Sequence, residues 1–228
     1  MERLAQIAQL AKLPPRSSPI EYLHIENSSI HSKHVAMILR SMKALKELRL
    51  VFTPFRCAGS TAISECNEYR VPAVHYPTLS GAITTHYESL ENLTLHSDLS
   101  LPPHIYYSAA VGCLQLQKVR DLQYLRTDVV TLYHDGTYEL FNPLPPNIRR
   151  LDLDTYEPLW PYYRCPKASL LSIATDCAQK HPLLKEMRIL RHTTNGLATW
   201  RAFFRIFGVV ERAFESQRVT IKFYIPSV

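Results

Sequence analysis

The sequence predicts an α/β solenoid, in which parallel strands are joined by helical crossovers in repeats of irregular length. Three observations carry that expectation. A six-residue apolar pattern recurs along the chain. Several stretches between its copies have helical spacing. The composition, 46% hydrophobic and 20% charged over 228 residues, is that of a globular chain. A chain of this size buries roughly 70% of its unfolded surface and needs neither metal nor disulfides to fold.

The recurring pattern is apolar-x-x-apolar-x-apolar. It reads Ile20-Glu21-Tyr22-Leu23-His24-Ile25, Leu45-Lys46-Glu47-Leu48-Arg49-Leu50 and Leu90-Glu91-Asn92-Leu93-Thr94-Leu95. A weaker copy, Leu122-Gln123-Tyr124-Leu125-Arg126-Thr127, follows. Then come Ile148-Arg149-Arg150-Leu151-Asp152-Leu153 and Leu184-Lys185-Glu186-Met187-Arg188-Ile189. Val219, Ile221 and Phe223 alternate like a seventh strand. Alternation of this kind marks a strand with one face buried. The apolar residue three places earlier fits a chain turning over the same core. Together these make the first half of the leucine-rich-repeat pattern L-x-x-L-x-L. The usual asparagine position is filled by Ser28, Thr53, Asp98, Val130, Tyr156 and His192, so an asparagine ladder is missing.

The steps between central apolar residues are 25, 45, 32, 26 and 36 residues. The 45-residue step holds Pro54, Gly59, Pro72, Pro77 and Gly81, and 54–85 is expected to be a long loop. Val35, Ile38, Leu39 and Met42 are spaced as on a helix, with Ser32 as the expected cap of its first turn. A second helix is expected over 168–179, stopped at His181-Pro182. The third, about 197–215, carries Trp200, Phe203, Phe204, Phe207, Val210 and Phe214, with Gly208 weakening its middle, and is expected to cap the domain. Residues 1–16 read as an N-terminal extension or incomplete cap, with Leu4, Ile7 and Leu10 spaced by three, and 17–228 as the repeat domain.

The formal net charge is +6. Residues 1–57 carry nine Lys/Arg and four Asp/Glu, 58–179 eight and thirteen, and 180–228 nine and three. The basic residues are scattered singly rather than gathered in a stripe with interleaved aromatics, which argues against a nucleic-acid partner. No apolar run approaches the roughly 20 residues of a membrane span, and the N-terminus lacks the continuous apolar core of a signal peptide. The five cysteines form no C-x-x-C pair, which fits reduced thiols and a cytoplasmic or nuclear location.

The arrangement from Ser18-Pro19-Ile20-Glu21-Tyr22-Leu23 to Met42-Lys43-Ala44-Leu45-Lys46-Glu47-Leu48 resembles the leucine-rich-repeat region of fungal F-box-like proteins. So do Glu88-Ser89-Leu90-Glu91-Asn92-Leu93, the proline-broken Leu144-Pro145-Pro146-Asn147-Ile148-Arg149-Arg150-Leu151 and His181-Pro182-Leu183-Leu184-Lys185-Glu186-Met187. The resemblance spans about residues 17 to 192. It implies a substrate-recognition domain of a ubiquitin ligase receptor, in which an F-box docks on a Skp-type adaptor. No F-box fits in Met1 to Ser18, so that adaptor is expected as a partner only if an F-box lies upstream.

The expected function is therefore protein binding, through the residues that flank the inward positions of each hexamer. One row is Tyr22, Glu47, Asn92, Tyr124, Arg150 and Glu186. The next is His24, Arg49, Thr94, Arg126, Asp152 and Arg188. The third is Glu26, Val51, His96, Asp128, Asp154 and Leu190. Tyr22, His24, Arg49, Tyr124, Arg126, Arg150, Asp152, Asp154 and Arg188 are the candidate partner-binding residues, since Tyr and Arg are enriched in binding hot spots. No cofactor is expected, and the chain does not read as an enzyme. It has no G-x-S-x-G, P-loop or G-x-G-x-x-G, and only six glycines. The alternative is a small hydrolase or metal-dependent enzyme using the acidic cluster Asp128, Asp152 and Asp154, whose carboxylates share one strand face. Polar residues at outward strand positions are the simpler reading of that cluster. His31 and His34, three apart on a helix, have no nearby acidic or cysteine ligand in sequence.

Overall fold

The computed structural model describes residues 14–28, 30–52, 74–97, 110–111, 114–132, 144–156, 171, 174–175, 180–192 and 200–224. Nine strands lie within them. They are β1 (Tyr22–Ser28), β2 (Glu47–Phe52), β3 (Val74–His75), β4 (Asn92–Ser97), β5 (Ala110–Val111), β6 (Tyr124–Asp128), β7 (Arg150–Tyr156), β8 (Glu186–His192) and β9 (Thr220–Tyr224). The helices are α1 (Ser32–Ser41), α2 (Tyr76–Ile83) and α3 (Trp200–Ser216). Seven strands form one sheet in the order β1-β2-β4-β6-β7-β8-β9, and every neighbouring pair is parallel. Short strands β3 and β5 pair in parallel beside it.

Every hexamer becomes a strand, the seventh included. The central residues Leu23, Leu48, Leu93, Leu125, Leu151, Met187 and Ile221 stand opposite one another across the whole sheet. From Leu48 to Met187 they are fully buried. Each such side chain contributes roughly 1.5–3 kcal/mol by leaving water. They share one core with Val35, Ile38 and Leu39 of α1, Tyr76, Leu79 and Ile83 of α2, and Val210 and Phe214 of α3. Leu45, Leu90, Leu122, Ile148 and Leu184, the first apolar residue of each later hexamer, are buried as expected. The first hexamer departs: Ile20 is exposed and Leu23 and Ile25 are only partly buried.

A single backbone device repeats at the start of the strands of the large sheet from β2 to β8. The carbonyl just before one strand accepts two N–H groups from the start of the next. Glu21 accepts from Lys46 and Glu47 (2.7 and 3.1 Å), and Lys46 from Glu91 and Asn92 (2.9 and 3.1 Å). Glu91 accepts from Gln123 and Tyr124 (2.8 and 3.1 Å), and Gln123 from Arg149 and Arg150 (2.8 and 3.0 Å). Arg149 then accepts from Lys185 and Glu186 (2.9 and 3.3 Å).

Two expectations need correction. The stretch 54–85 is not all loop: 54–73 lie outside the described residues, but Val74 onward is a strand, a helix and the 3-10 turn Thr84–His86. Pro77, read as a loop signal, sits in the first turn of α2, where its missing N–H costs nothing. Ser32 does not cap α1. His31 does, its Nδ1 accepting from Lys33 N–H at 3.2 Å, while Ser32 Oγ accepts from His75 N–H at 3.1 Å. The expected C-terminal helix is present as α3, which runs through Gly208 to Ser216. The expected helix over 168–179 and the extension before Pro14 fall largely outside the described residues, though Leu171, Ala174 and Thr175 are helical.

Histidine ring nitrogens tie the α1–α2 layer together by meeting backbone N–H groups. His31 Nδ1 caps α1, and His75 Nδ1 accepts from Thr78 N–H at 3.2 Å to cap α2. His86 is buried; Nδ1 faces Leu45 N–H at 3.4 Å, and Nε2–H donates to the Leu39 carbonyl at 2.9 Å. An imidazolium has no lone pair with which to accept any of these N–H groups. Burial lowers the pKa of His86, and burial together with Lys33, His34 and His75 lowers that of His31. The neutral form is therefore favoured on folding, and its stabilisation is complete above pH 6.5 and lost as pH falls below it. Urea midpoints measured through this range should fall for the parent and fall less for His86→Gln, which keeps a donor and an acceptor but cannot be protonated. Equal pH dependence of the two proteins would contradict this account.

Candidate functional site

The face of the sheet opposite the leucines carries the polar rows, and the strand register aligns two of them as the sequence predicts. Tyr22, Glu47, Asn92, Tyr124, Arg150 and Glu186 are successive partners, continued by Thr220. His24, Arg49, Thr94, Arg126, Asp152 and Arg188 are likewise partners, continued by Lys222. The third row breaks at β1, where an extra residue between Ile25 and Ser28 shifts the register, and the β4–β6 pairing ends at Leu95 and Thr127, short of His96 and Asp128. Glu26 is thereby taken out of line with Val51, and Val51 itself is buried.

The expectation that the aspartates face solvent is wrong. Asp128, Asp152 and Asp154 are all buried. Asp154 accepts from Arg126 at both oxygens, from Nε at 2.8 Å and Nη2 at 3.0 Å. Asp152 accepts from Arg150 Nε at 2.9 Å and Nη2 at 2.7 Å, and from the Tyr124 hydroxyl at 3.1 Å. Such two-pronged pairs fix a guanidinium in direction as well as position. Burying these charges is costly, and the pairing is what offsets the cost. Arginine thus pairs with both oxygens of Asp152 and of Asp154 and neutralises their charge. Among the described residues, no three His, Cys, Asp or Glu side chains are placed to hold a metal ion together.

Aromatic rings complete the clamps. The Arg150 guanidinium stands 5.0 Å from the centre of the Tyr124 ring, and that of Arg188 stands 5.4 Å from the Tyr224 ring. Burial, reinforced by the Asp152 charge, pushes the Tyr124 hydroxyl up to about 12, so it remains a donor at neutral pH. Burial opposes the charge of Arg126, but the Asp154 carboxylate outweighs that and raises its pKa. Glu186 is the hub at the C-terminal side: it accepts from Lys222 at 2.6 Å and Arg188 at 3.0 Å, with Arg150 Nε 3.9 Å away.

The remaining candidates lie apart from this cluster, over β1 and β2. Tyr22 is exposed at the edge of the sheet. His24 Nε2 lies 2.7 Å from Glu47 Oε1, and Arg49 Nε 2.6 Å from Glu26 Oε1. Lys222 and Tyr224 were not among the sequence candidates. The alternation of Val219, Ile221 and Phe223 was the available signal, since it turns both residues outward with the rows.

No family model matches the chain, and no curated protein or solved structure matches it. Among the described residues, no helix is long and apolar enough to cross a membrane.

Lys222 and Arg188 hold the Glu186 carboxyl at about 2, below its usual 4.5. A lowered carboxylate stabilises the fold above the unfolded value, and that contribution is lost as pH falls from 4.5 towards 2. Over this window the parent should lose more stability than Glu186→Gln in urea titrations. An acid response that the substitution leaves unchanged would mean that Glu186 is not held in this way.

Proposed function

We propose that the chain is a leucine-rich-repeat-like solenoid whose polar sheet face binds another protein. The observation that carries this reading is the clamping of Arg126 and Arg150 by buried aspartates beside Tyr124. These are residue types that dominate binding energy when held rigid in a central position. A side chain ordered before association loses less entropy on binding. The strands follow one another across the sheet in chain order, as stacked repeats do, and this supports the solenoid reading.

The resemblance to F-box-like proteins makes substrate selection the corresponding role, with a Skp-type adaptor as a partner only if an F-box lies upstream. The unpaired spacing of the cysteines supports a cytoplasmic or nuclear setting. Partners recovered by co-purification and mass spectrometry provide the test. Tyr124→Ala, and Arg126→Ala combined with Asp154→Ala so that no buried carboxylate is stranded, should each weaken binding by roughly 2 kcal/mol, with folding checked separately. Variants that fold and bind within about 0.5 kcal/mol of the parent would move the binding site elsewhere.

A further inference from the structure

Charge on the polar face is layered. Across β6 to β9 the acidic groups lie underneath: Asp154, Asp152 and Glu186 side chains are 0%, 4% and 20% exposed, and Asp128 is buried beside Asp154. The cations lie above them, with Arg126 27%, Arg150 36%, Arg188 27% and Lys222 46% exposed. Solvent there meets mainly guanidinium and ammonium N–H groups. Over β1 and β2 the layering is lost, and Glu21 and Glu26 are about as exposed as Lys46 and Arg49. Between the two regions, β4 contributes Asn92 and Thr94, both uncharged.

The clamped arginines keep donors to spare. Arg126 and Arg150 spend Nε and Nη2 on their aspartates, leaving the Nη1 groups without a hydrogen-bond acceptor among the described residues. The Tyr124 ring and the Asp152 pairing hold the Arg150 plane in place, and the Asp154 pairing holds that of Arg126.

We infer that the β6–β9 part of this face recognises an acidic peptide segment of a partner protein. Its carboxylates accept from the spare N–H groups of Arg126 and Arg150 and from Arg188 and Lys222. The inference rests on the reading of the face as a protein-binding surface and names the chemistry of what it binds. Four cations stand over four carboxyl side chains, the buried Asp128 included, so the patch is close to neutral at a distance. Nucleic-acid binding draws on phosphate attraction over an extended charged surface, which such cancellation weakens. At contact distance the outward donors dominate, and a carboxylate takes two of them at once. Arg126 and Arg188 share a row two strands apart, a span of roughly 10 Å that an extended peptide covers in about three residues. Acidic residues two or three apart in the partner fit that span.

The test pans a phage-displayed library of random peptides against the full chain. Enriched peptides are then titrated at about physiological ionic strength, with the arginine side-chain NMR signals as the map. Acidic peptides that shift the Arg126 and Arg150 signals are expected. Arg188→Gln with Lys222→Gln, which leaves the Asp152 and Asp154 pairs intact, should weaken them at least about tenfold. Arg40→Gln with Arg212→Gln removes the same charge from exposed positions on α1 and α3 and should change binding by no more than about twofold. Neutral or basic peptides shifting the same signals would overturn the acidic specificity and leave the binding face standing. Peptides that map elsewhere, or no enrichment, would overturn both. A single-stranded oligonucleotide that displaces the acidic peptides more effectively than they displace one another would also overturn the inference, in favour of a nucleic acid.

Discussion

Register across the seven-stranded sheet depends on the carbonyl that precedes each strand. Glu21, Lys46, Glu91, Gln123 and Arg149 each accept two N–H groups from the start of the following strand. The crossovers between strands differ widely in length, yet each returns the chain to the same carbonyl. A one-residue slip in a strand would turn its leucines outward and its charges inward. The backbone contacts and the leucine rows therefore enforce the same alignment. The crossovers are free to vary because neither constraint involves them.

From that register follows the polar face. Alternation sends Tyr124, Arg126 and Asp128 away from Leu125 and Thr127, and the parallel pairing sets Arg126 opposite Asp152 and Asp128 opposite Asp154. Arg126 then reaches along the strand direction to Asp154, while Arg150 turns to Asp152 two residues further along its own strand. The inward side tolerates the polar Thr127 because its hydroxyl meets that of Thr131 at 2.6 Å and Thr131 in turn donates to the Asp128 carbonyl. A buried hydroxyl with its partner in place costs little.

The strands were legible because the hexamer carries its signal in spacing alone, and Leu93, Leu95, Leu151, Leu153, Met187 and Ile189 are all buried as their positions imply. Two rows of the site were legible for the same reason. The burial of Asp152 and Asp154 was not, because outward positions are assigned to water by default, and their burial depends on Arg150 two residues earlier in the same strand and on Arg126 one strand away. The helix at Tyr76–Ile83 was hidden by Pro77 and Gly81, which read as breakers until the proline is placed in a first turn. His86 gave no periodic signal at all. Its partners, Leu39 and Leu45, lie more than forty residues away in the chain.

The central claim is that buried carboxylates hold the arginines that face outward. A double-mutant cycle on Arg126→Gln and Asp154→Asn, read by urea unfolding, tests it most directly. The two substitutions should be coupled by roughly 1–3 kcal/mol, the double variant being more stable than the sum of the single losses implies. Losses that add to within about 0.3 kcal/mol would show that the pair does not act as a unit and would contradict that claim.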